Sequence, residues 1–140
     1  VDFLGILDGR ELYLMEVKNF RQYRIENKER LSTGELALEL AQKVRDSLAC
    51  LIGAYHTSDE PDFWQPVVKL LCHQKRKIKV VLWLEHDLPP SPLARQKVVQ
   101  LVSKKVFKSR LTWLTSQVML ESRDGQRLPN LQVSNLPRPP

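Results

Sequence analysis

Residues 1–20, VDFLGILDGRELYLMEVKNF, decide the fold that this sequence predicts. Two runs rich in Leu, Ile, Phe, Tyr and Val, residues 1–7 and 11–17, flank the dipeptide Asp8-Gly9. Such a dipeptide between apolar runs is a strong signal for a β-hairpin. Both faces of each run are largely apolar, which is typical of strands in the middle of a covered sheet. The stretch therefore predicts two central antiparallel strands.

The faces on which the acidic residues of this hairpin lie depend on its register. Directly opposed residues of an antiparallel pair share a face. A two-residue turn would place Asp2 opposite Met15, on the other face from Glu16. A three-residue loop at Leu7-Asp8-Gly9 would place Asp2 opposite Leu14 and diagonally beside Glu16. We predict the three-residue loop or an equivalent bulge, with Gly9 in the left-handed conformation.

Beyond the hairpin, the pattern alternates between helix and strand. Ser32-Thr33-Gly34-Glu35 has the spacing of a capping box, and apolar residues then recur with helical period to residues 55–57. A β-branched strand is predicted at residues 78–86, a helix at 93–107 and a strand at 111–114, with an extension toward Leu120 left open. Residues 62–77 are ambiguous and could contain one short helix, broken or begun near Pro66, before a basic loop. The fold class is α/β, with an antiparallel hairpin at one end.

Composition bounds the class of protein further. The 140 residues fit one domain, predicted at 1–136, with 137–140 as a disordered tail. No apolar run approaches the roughly 20 residues of a membrane helix, and no secretory leader is visible, so neither a membrane nor secretion is expected. Two cysteines in no disulfide or zinc spacing indicate a cytoplasmic protein. A net charge of +6 favours polyanionic partners such as nucleic acid.

The charged residues of the hairpin suggest a metal site. Glu16 and Lys18 lie on one face of their strand because side chains alternate. If Asp2 joins them, two carboxylates repel each other unless a cation neutralises them. Mg²⁺ fits this need, since it binds one or two carboxylates and fills its other positions with water and phosphate oxygens. A bound ion lowers the pKa of its water, and Lys18 would orient that water or steady developing negative charge.

Asp2, the hairpin, the triplet Glu16-Val17-Lys18 and the capped helix together resemble the PD-(D/E)xK nuclease superfamily. The resemblance implies a restriction-endonuclease-like mixed sheet flanked by helices, with an αβββαβ core, and Mg²⁺-dependent hydrolysis of nucleic-acid phosphodiesters, in which Mn²⁺ would substitute. It implies that Asp2, Glu16 and the Val17 carbonyl bind the metal and that Asp2, Glu16 and Lys18 are catalytic. Val1 departs from the motif's proline, and the core's upstream helix and first strand are absent from this sequence.

Five further residues are candidates for contacts with nucleic acid. Some branches of the superfamily carry a glutamine on the helix after the lysine strand, and Gln42 stands at such a place. The alternative for Gln42 is a polar residue at the edge of the buried stripe. The other four follow the triplet closely enough to contact phosphates near the metal, or else form an exposed basic loop: Arg21, Tyr23, Arg24 and Lys28.

The sequence as a whole predicts a Mg²⁺-dependent nuclease that acts on nucleic acid, DNA above all, with a homodimer as one open assembly. A catalytically inactive member that binds nucleic acid or a protein partner is the alternative. At the level of the triad, the competing interpretation is a structural ion pair between Lys18 and Glu16 or Asp2, of the kind worth about 0 to 1 kcal/mol at a surface.

Overall fold

The computed structural model describes residues 1–20, 34–73, 77–85, 104–122, 128 and 131. Within these ranges the chain forms four strands and three helices. In chain order they are β1 (Phe3–Leu7), β2 (Glu11–Asn19), α1 (Glu35–Thr57), α2 (Pro61–Cys72), β3 (Lys77–Glu85), α3 (Lys104–Leu111) and β4 (Val118–Glu121). The predicted α/β class is confirmed.

The strands form one mixed sheet in the order β1-β2-β3-β4. Strands β1 and β2 pair antiparallel, whereas β2 with β3 and β3 with β4 pair parallel. Parallel neighbours require crossover connections, and helices α1 and α2 lie in the connection from β2 to β3. The carboxyl ends of β2, β3 and β4 therefore meet at one edge of the sheet.

Both hairpin strands were predicted to be central in the sheet. Among the described residues, β2 is central and β1 is not. Strand β1 stands at the end of the strand order among the described residues, and four of its five residues are exposed. The apolar composition of β1 indicated a strand correctly, but composition does not show how many neighbours a strand has.

The hairpin has the predicted connection length but a different register. Asp8 and Gly9 both have positive φ, 51° and 60°, and the Arg10 N–H donates to the Leu7 carbonyl at 3.0 Å. Leu7 then pairs with Glu11, so the three-residue connection is Asp8-Gly9-Arg10 and not Leu7-Asp8-Gly9. Asp8 and Gly9 are the two central residues of the turn, and Arg10 is an extra, unpaired residue between the turn and the first residue pair, Leu7 and Glu11.

Asp2 lies just beyond the end of the β1–β2 ladder, whose last pair is Phe3 with Met15. The Asp2 N–H donates to the Met15 carbonyl at 3.0 Å, and the Asp2 carboxylate accepts from the Val17 N–H at 2.8 Å, so Asp2 lies beside residues 15–17 of β2. Leu14 pairs with Leu4, so the predicted pairing of Asp2 with Leu14 is wrong. The predicted sharing of a face by Asp2 and Glu16 stays a prediction.

Helix α1 has the predicted apolar face, but its start differs from the prediction. Gly34, with φ 79°, is the N-cap residue, so the helix begins at Glu35, while Ser32 of the predicted capping box lies outside the described residues. The predicted strand at residues 111–114 is also wrong. Leu111 ends α3 instead, where it is fully buried, and the strand begins only at Val118. An apolar run of this length fits either element, and helix packing decided it.

The helices cover one face of the sheet with the main core. Alternate strand residues Leu14, Val80 and Leu82 meet α1 through Leu40 and Val44. Helix α3 adds Phe107 and Leu111 to this cluster, and α2 packs Trp64 and Val67 against it. A second, smaller cluster lies on the opposite face around Val81, Trp83 and Leu128. Both faces of the central strands are covered, as the apolar pattern predicted.

Residues 61–72 form helix α2, so the predicted short helix is present, but it neither begins nor breaks at Pro66, which lies inside it. Pro61 stands at the start of this helix, where its missing N–H costs nothing. Of the predicted helix at 93–107, residues 93–103 lie outside the described ranges, as does the predicted tail at 137–140. Across the described ranges, no helix combines the length and apolar character needed to cross a bilayer.

Candidate active site

Glu16 occupies a position of strand β2 at which the alternation calls for an apolar side chain. Leu12 and Leu14 precede it on the same face and are fully buried, and Glu16 itself is 1% exposed. Burial of an ionised carboxylate is costly unless it is paired and hydrogen-bonded. The contacts of Glu16 therefore show how the cost of burying its carboxylate is compensated.

Two ammonium groups meet one oxygen of this carboxylate. Oε1 of Glu16 accepts a hydrogen bond from Lys43 Nζ at 2.5 Å and lies 3.1 Å from Lys18 Nζ. Lys18 Nζ also donates to Oε1 of Glu39 at 2.5 Å. Lys43 and Glu39 are one turn apart on helix α1, so the helix supplies one cation and one anion to the end of strand β2.

Lys18 is held in its charged form. Partial burial of the ammonium lowers its pKa, but hydrogen bonds from Lys18 to Glu39 and then to Glu16, together with their charges, outweigh burial, so the pKa of Lys18 lies above its ordinary value. Lys18 is thus a charged hydrogen-bond donor at neutral pH. Among the described residues, its three N–H groups meet two glutamates, so one N–H is available there to water or a phosphate oxygen.

Asp2 reaches the same end of β2 from the neighbouring strand. Its Oδ2 accepts a hydrogen bond from the Val17 N–H at 2.8 Å, which sets the carboxylate beside the backbone that follows Glu16. Asp2 itself is exposed. The two acids therefore differ in environment, because one is buried and paired with lysines and the other faces solvent.

The second oxygen of Glu16 is the one unusual atom of this site. Oε2 is buried and has no hydrogen-bond partner, the only such side-chain atom within the described ranges. An unpaired buried oxygen of a carboxylate requires an explanation, and an unplaced cation is one. Within those ranges, no group of three or more His, Cys, Asp and Glu is arranged to hold an ion. Mg²⁺ needs only one or two carboxylates, so Glu16 and Asp2 fit this ion as a donor set.

A cavity of about 400 Å³ opens beside this site. Asp2 and Lys43 stand on its rim, and Leu4, Leu51 and Trp64 supply apolar wall. Ligand sites of small molecules have this size and this mixture of apolar walls with a few polar groups. The cavity thus offers room for part of a substrate beside Asp2 and Lys43, while Glu16 does not line it.

The structure brings together the hairpin residues singled out from the sequence and leaves the others apart. Asp2, Glu16, Val17 and Lys18 meet at the end of β2, whereas Gln42 is exposed on α1 and its neighbour Lys43 contacts Glu16. Metal binding, catalysis and nucleic-acid contact by these residues stay predictions. The remaining four predicted nucleic-acid contacts lie outside the described residues: Arg21, Tyr23, Arg24 and Lys28.

Sequence reasoning missed Glu39 and Lys43. Both flank the buried stripe of α1, one position before Leu40 and one position before Val44. An acid and a lysine four residues apart beside an apolar stripe are common on exposed helix surfaces, so the spacing alone does not distinguish a site. Glu39 and Lys43 are recognisable as part of the site only from their contacts with Lys18 and with the buried Glu16.

Comparison of the chain with protein-family models, with curated proteins and with solved structures finds no match. The class that the structure defines is therefore an α/β protein with a four-stranded mixed sheet flanked by helices. What this protein does rests on the geometry around Glu16.

Proposed function

We propose that this chain is a Mg²⁺-dependent phosphodiesterase of the restriction-endonuclease-like fold, acting on nucleic acid and on DNA above all. One observation carries the proposal. The buried carboxylate of Glu16 has an oxygen without a partner at the strand end where Asp2 and Lys18 also lie. A hydrophobic core has no use for such an arrangement, because burial of paired charges rarely adds stability.

Each residue has a chemical role in this proposal. Glu16 and Asp2 would bind the ion, together with the Val17 carbonyl. When bound, the ion supplies an activated water and neutralises charge on the scissile phosphate. Lys18, charged at neutral pH, donates its remaining N–H to the attacking water or to a phosphate oxygen. Glu39 acts as a positioning residue, since its 2.5 Å contact fixes the Lys18 ammonium.

Cleavage of labelled DNA tests the proposal. The substrates are single-stranded and duplex DNA and RNA of matched length, with Mg²⁺, Mn²⁺ or EDTA. We expect metal-dependent cleavage by the native chain and a loss of at least about 100-fold in Glu16→Gln and Lys18→Met. Glu11→Gln is the matched control, because Glu11 is also a β2 glutamate paired with a lysine, Lys79, but stands at the other end of the strand.

Two results would overturn this proposal. One is intact substrate under every metal condition with the native chain. The other is cleavage by Glu16→Gln at the native rate, which would show that any activity arises elsewhere or from a contaminant. Circular dichroism of each variant separates a catalytic loss from a loss of folding.

A binding protein without catalysis is the second candidate, and one contact favours it. Lys43 and Lys18 together balance the charge of Glu16 and Glu39 without any metal ion. A site already neutral in this way would serve as a structural ion-pair network beneath a nucleic-acid surface. Metal-independent binding of DNA with no cleavage under any condition would select this candidate over the nuclease.

A further inference from the structure

The positive charge of this chain is concentrated in one stretch. Residues 88–120 contain six of the 22 Lys and Arg and none of the 16 Asp and Glu. The rest of the chain therefore has 16 basic and 16 acidic residues and is neutral overall. The net charge of +6 belongs to residues 88–120 alone, a segment that the proposed catalytic site does not use.

Helix α3 presents part of this charge to solvent. Phe107 and Leu111 bury one side of the helix in the main core, while Lys105, Lys108 and Arg110 are exposed. We call these three cations the α3 basic surface. Helix α3 contains no acid, so no neighbour on the same helix neutralises them.

The cations of the α3 basic surface differ from the lysines on and beside the sheet. Lys18, Lys43, Lys77 and Lys79 each contact a glutamate. Within the described part of the chain, by contrast, no cation of the α3 basic surface forms an ion pair. Three exposed charges of one sign, with no ion-pair partner in the part of the chain that the structure describes, repel one another and favour a polyanion.

The α3 basic surface also lies near the proposed catalytic site. A Cβ atom on Gly34 would stand 3.3 Å from Cγ1 of Val106, so α3 touches the start of α1. Glu39, which holds Lys18, is five residues further along α1 than Gly34, a distance of about 7.5 Å at the helical rise. A nucleic-acid strand with one phosphate at Lys18 would thus reach α3 within a few nucleotides.

An exposed tryptophan follows helix α3. Trp113 is 57% exposed, and its indole N–H donates to the Arg110 carbonyl at 3.1 Å, which ties the ring to the C-terminal end of α3. Unpaired bases stack on aromatic faces of this kind, with about 1 to 3 kcal/mol per base. An exposed aromatic ring at the end of a helix that carries three cations is a combination suited to nucleic acid more than to an acidic protein.

We infer that the α3 basic surface binds the phosphate backbone of nucleic acid on the flank of the proposed catalytic site, with Trp113 as a stacking face for an unpaired base. This inference rests on the proposed function for the position of the substrate. It adds a binding surface on a separate element, which neither the hairpin nor the Glu16-Val17-Lys18 triplet implies.

Fluorescence anisotropy in EDTA tests the inference without cleavage. The probes are a 20-nucleotide single strand and a 20-base-pair duplex, each titrated at several salt concentrations. Lys105→Gln/Lys108→Gln is compared with the control Arg10→Gln/Lys69→Gln, which removes the same charge from exposed positions outside α3. We expect the α3 variant to bind both probes about tenfold more weakly, with a salt slope smaller by about 1 for each lysine removed. The control should bind like the native chain.

Trp113→Leu distinguishes the two probes. We expect a severalfold loss of affinity for the single strand and an unchanged affinity for the duplex, because only unpaired bases expose a face for stacking. An unchanged affinity for both probes would overturn the stacking role of Trp113. A native chain that binds neither probe, or an α3 variant that binds like the control, would overturn the α3 basic surface.

These outcomes are separate from those of the cleavage assay. A native chain that cleaves DNA while the α3 variant binds like the control overturns the α3 basic surface and leaves the nuclease proposal standing. A native chain that binds through α3 but never cleaves overturns the nuclease proposal and supports the α3 basic surface. Binding in EDTA and cleavage with metal are therefore read independently.

Discussion

Nζ of Lys43 lies 2.5 Å from Oε1 of Glu16, so a lysine from helix α1 neutralises the buried glutamate of strand β2. If Glu16 binds a metal ion, Lys43 competes with it. We expect Lys43→Met to strengthen binding of Mn²⁺ about three- to tenfold, because a cation that is 40% exposed repels an ion only through partly screened charge. Isothermal titration calorimetry, with Mn²⁺ added to each protein in the absence of nucleic acid, measures this change in affinity. Lys69→Met, at an exposed helix position, is the control, and unchanged or weaker binding in Lys43→Met would contradict the competition.

Asp2→Asn should weaken Mn²⁺ binding about 10- to 100-fold while the hairpin remains folded. Asparagine keeps an oxygen that accepts the Val17 N–H, and it loses only the negative charge. Asp8→Asn is the matched control, since Asp8 is exposed in the hairpin turn and its φ of 51° suits asparagine. Equal metal affinities of the two variants would remove Asp2 from the metal site.

Gly9→Ala should lower the free energy of unfolding by about 1 to 2 kcal/mol, because Gly9 has a φ of 60° and an L-residue with a Cβ resists this conformation.

Gly53→Ala should act in the opposite direction. Gly53 lies inside helix α1 with open space where a Cβ atom would stand, so alanine would stabilise the helix by about 1 kcal/mol. Urea unfolding compares both with the native chain. A Gly9→Ala variant as stable as the native chain would contradict the hairpin geometry, and a destabilised Gly53→Ala variant would contradict the open space beside Gly53.

The ion pair between Glu11 and Lys79 should make the free energy of unfolding depend on pH in the acidic range. The hydrogen bond from Lys79 is the largest influence on Glu11 and lowers its pKa; burial opposes it, and the net pKa lies below the ordinary 4.5. A lowered folded-state pKa contributes stability that is present above pH 4.5 and is lost as pH falls through the folded value.

Urea unfolding between pH 6 and pH 3 measures this contribution. We expect the native chain to be more stable than Glu11→Gln by about 1 kcal/mol at pH 6, with the difference shrinking as the pH falls below 4.5. Asp59→Asn is the control, since Asp59 is exposed and forms no ion pair within the described residues. A difference between native chain and Glu11→Gln that stays constant with pH would show that the ion pair adds nothing.

Much of the fold follows from local patterns. The turn is predicted by the dipeptide Asp8-Gly9, and helix α1 and strand β3 are predicted by their apolar patterns, because a period of 3.6 or 2 residues belongs to one element type. The strand predicted at residues 111–114 is wrong because an apolar run of four residues is too short to show a period. Leu111 became the last residue of a helix because it fills the core beside Phe107.

By itself, the sequence determined that Glu16 and Lys18 share a face of one strand and that a turn precedes them, because alternation along a strand is a local property. Only the tertiary structure decided that the Asp2 carboxylate accepts a hydrogen bond from the Val17 N–H and that Lys43, 27 residues from Glu16, contacts the Glu16 carboxylate. The register depends on how Asp8 and Gly9 close the turn, and the lysine contact depends on where α1 crosses the sheet. Neither is a property of spacing, because both arise from packing between elements distant in the chain.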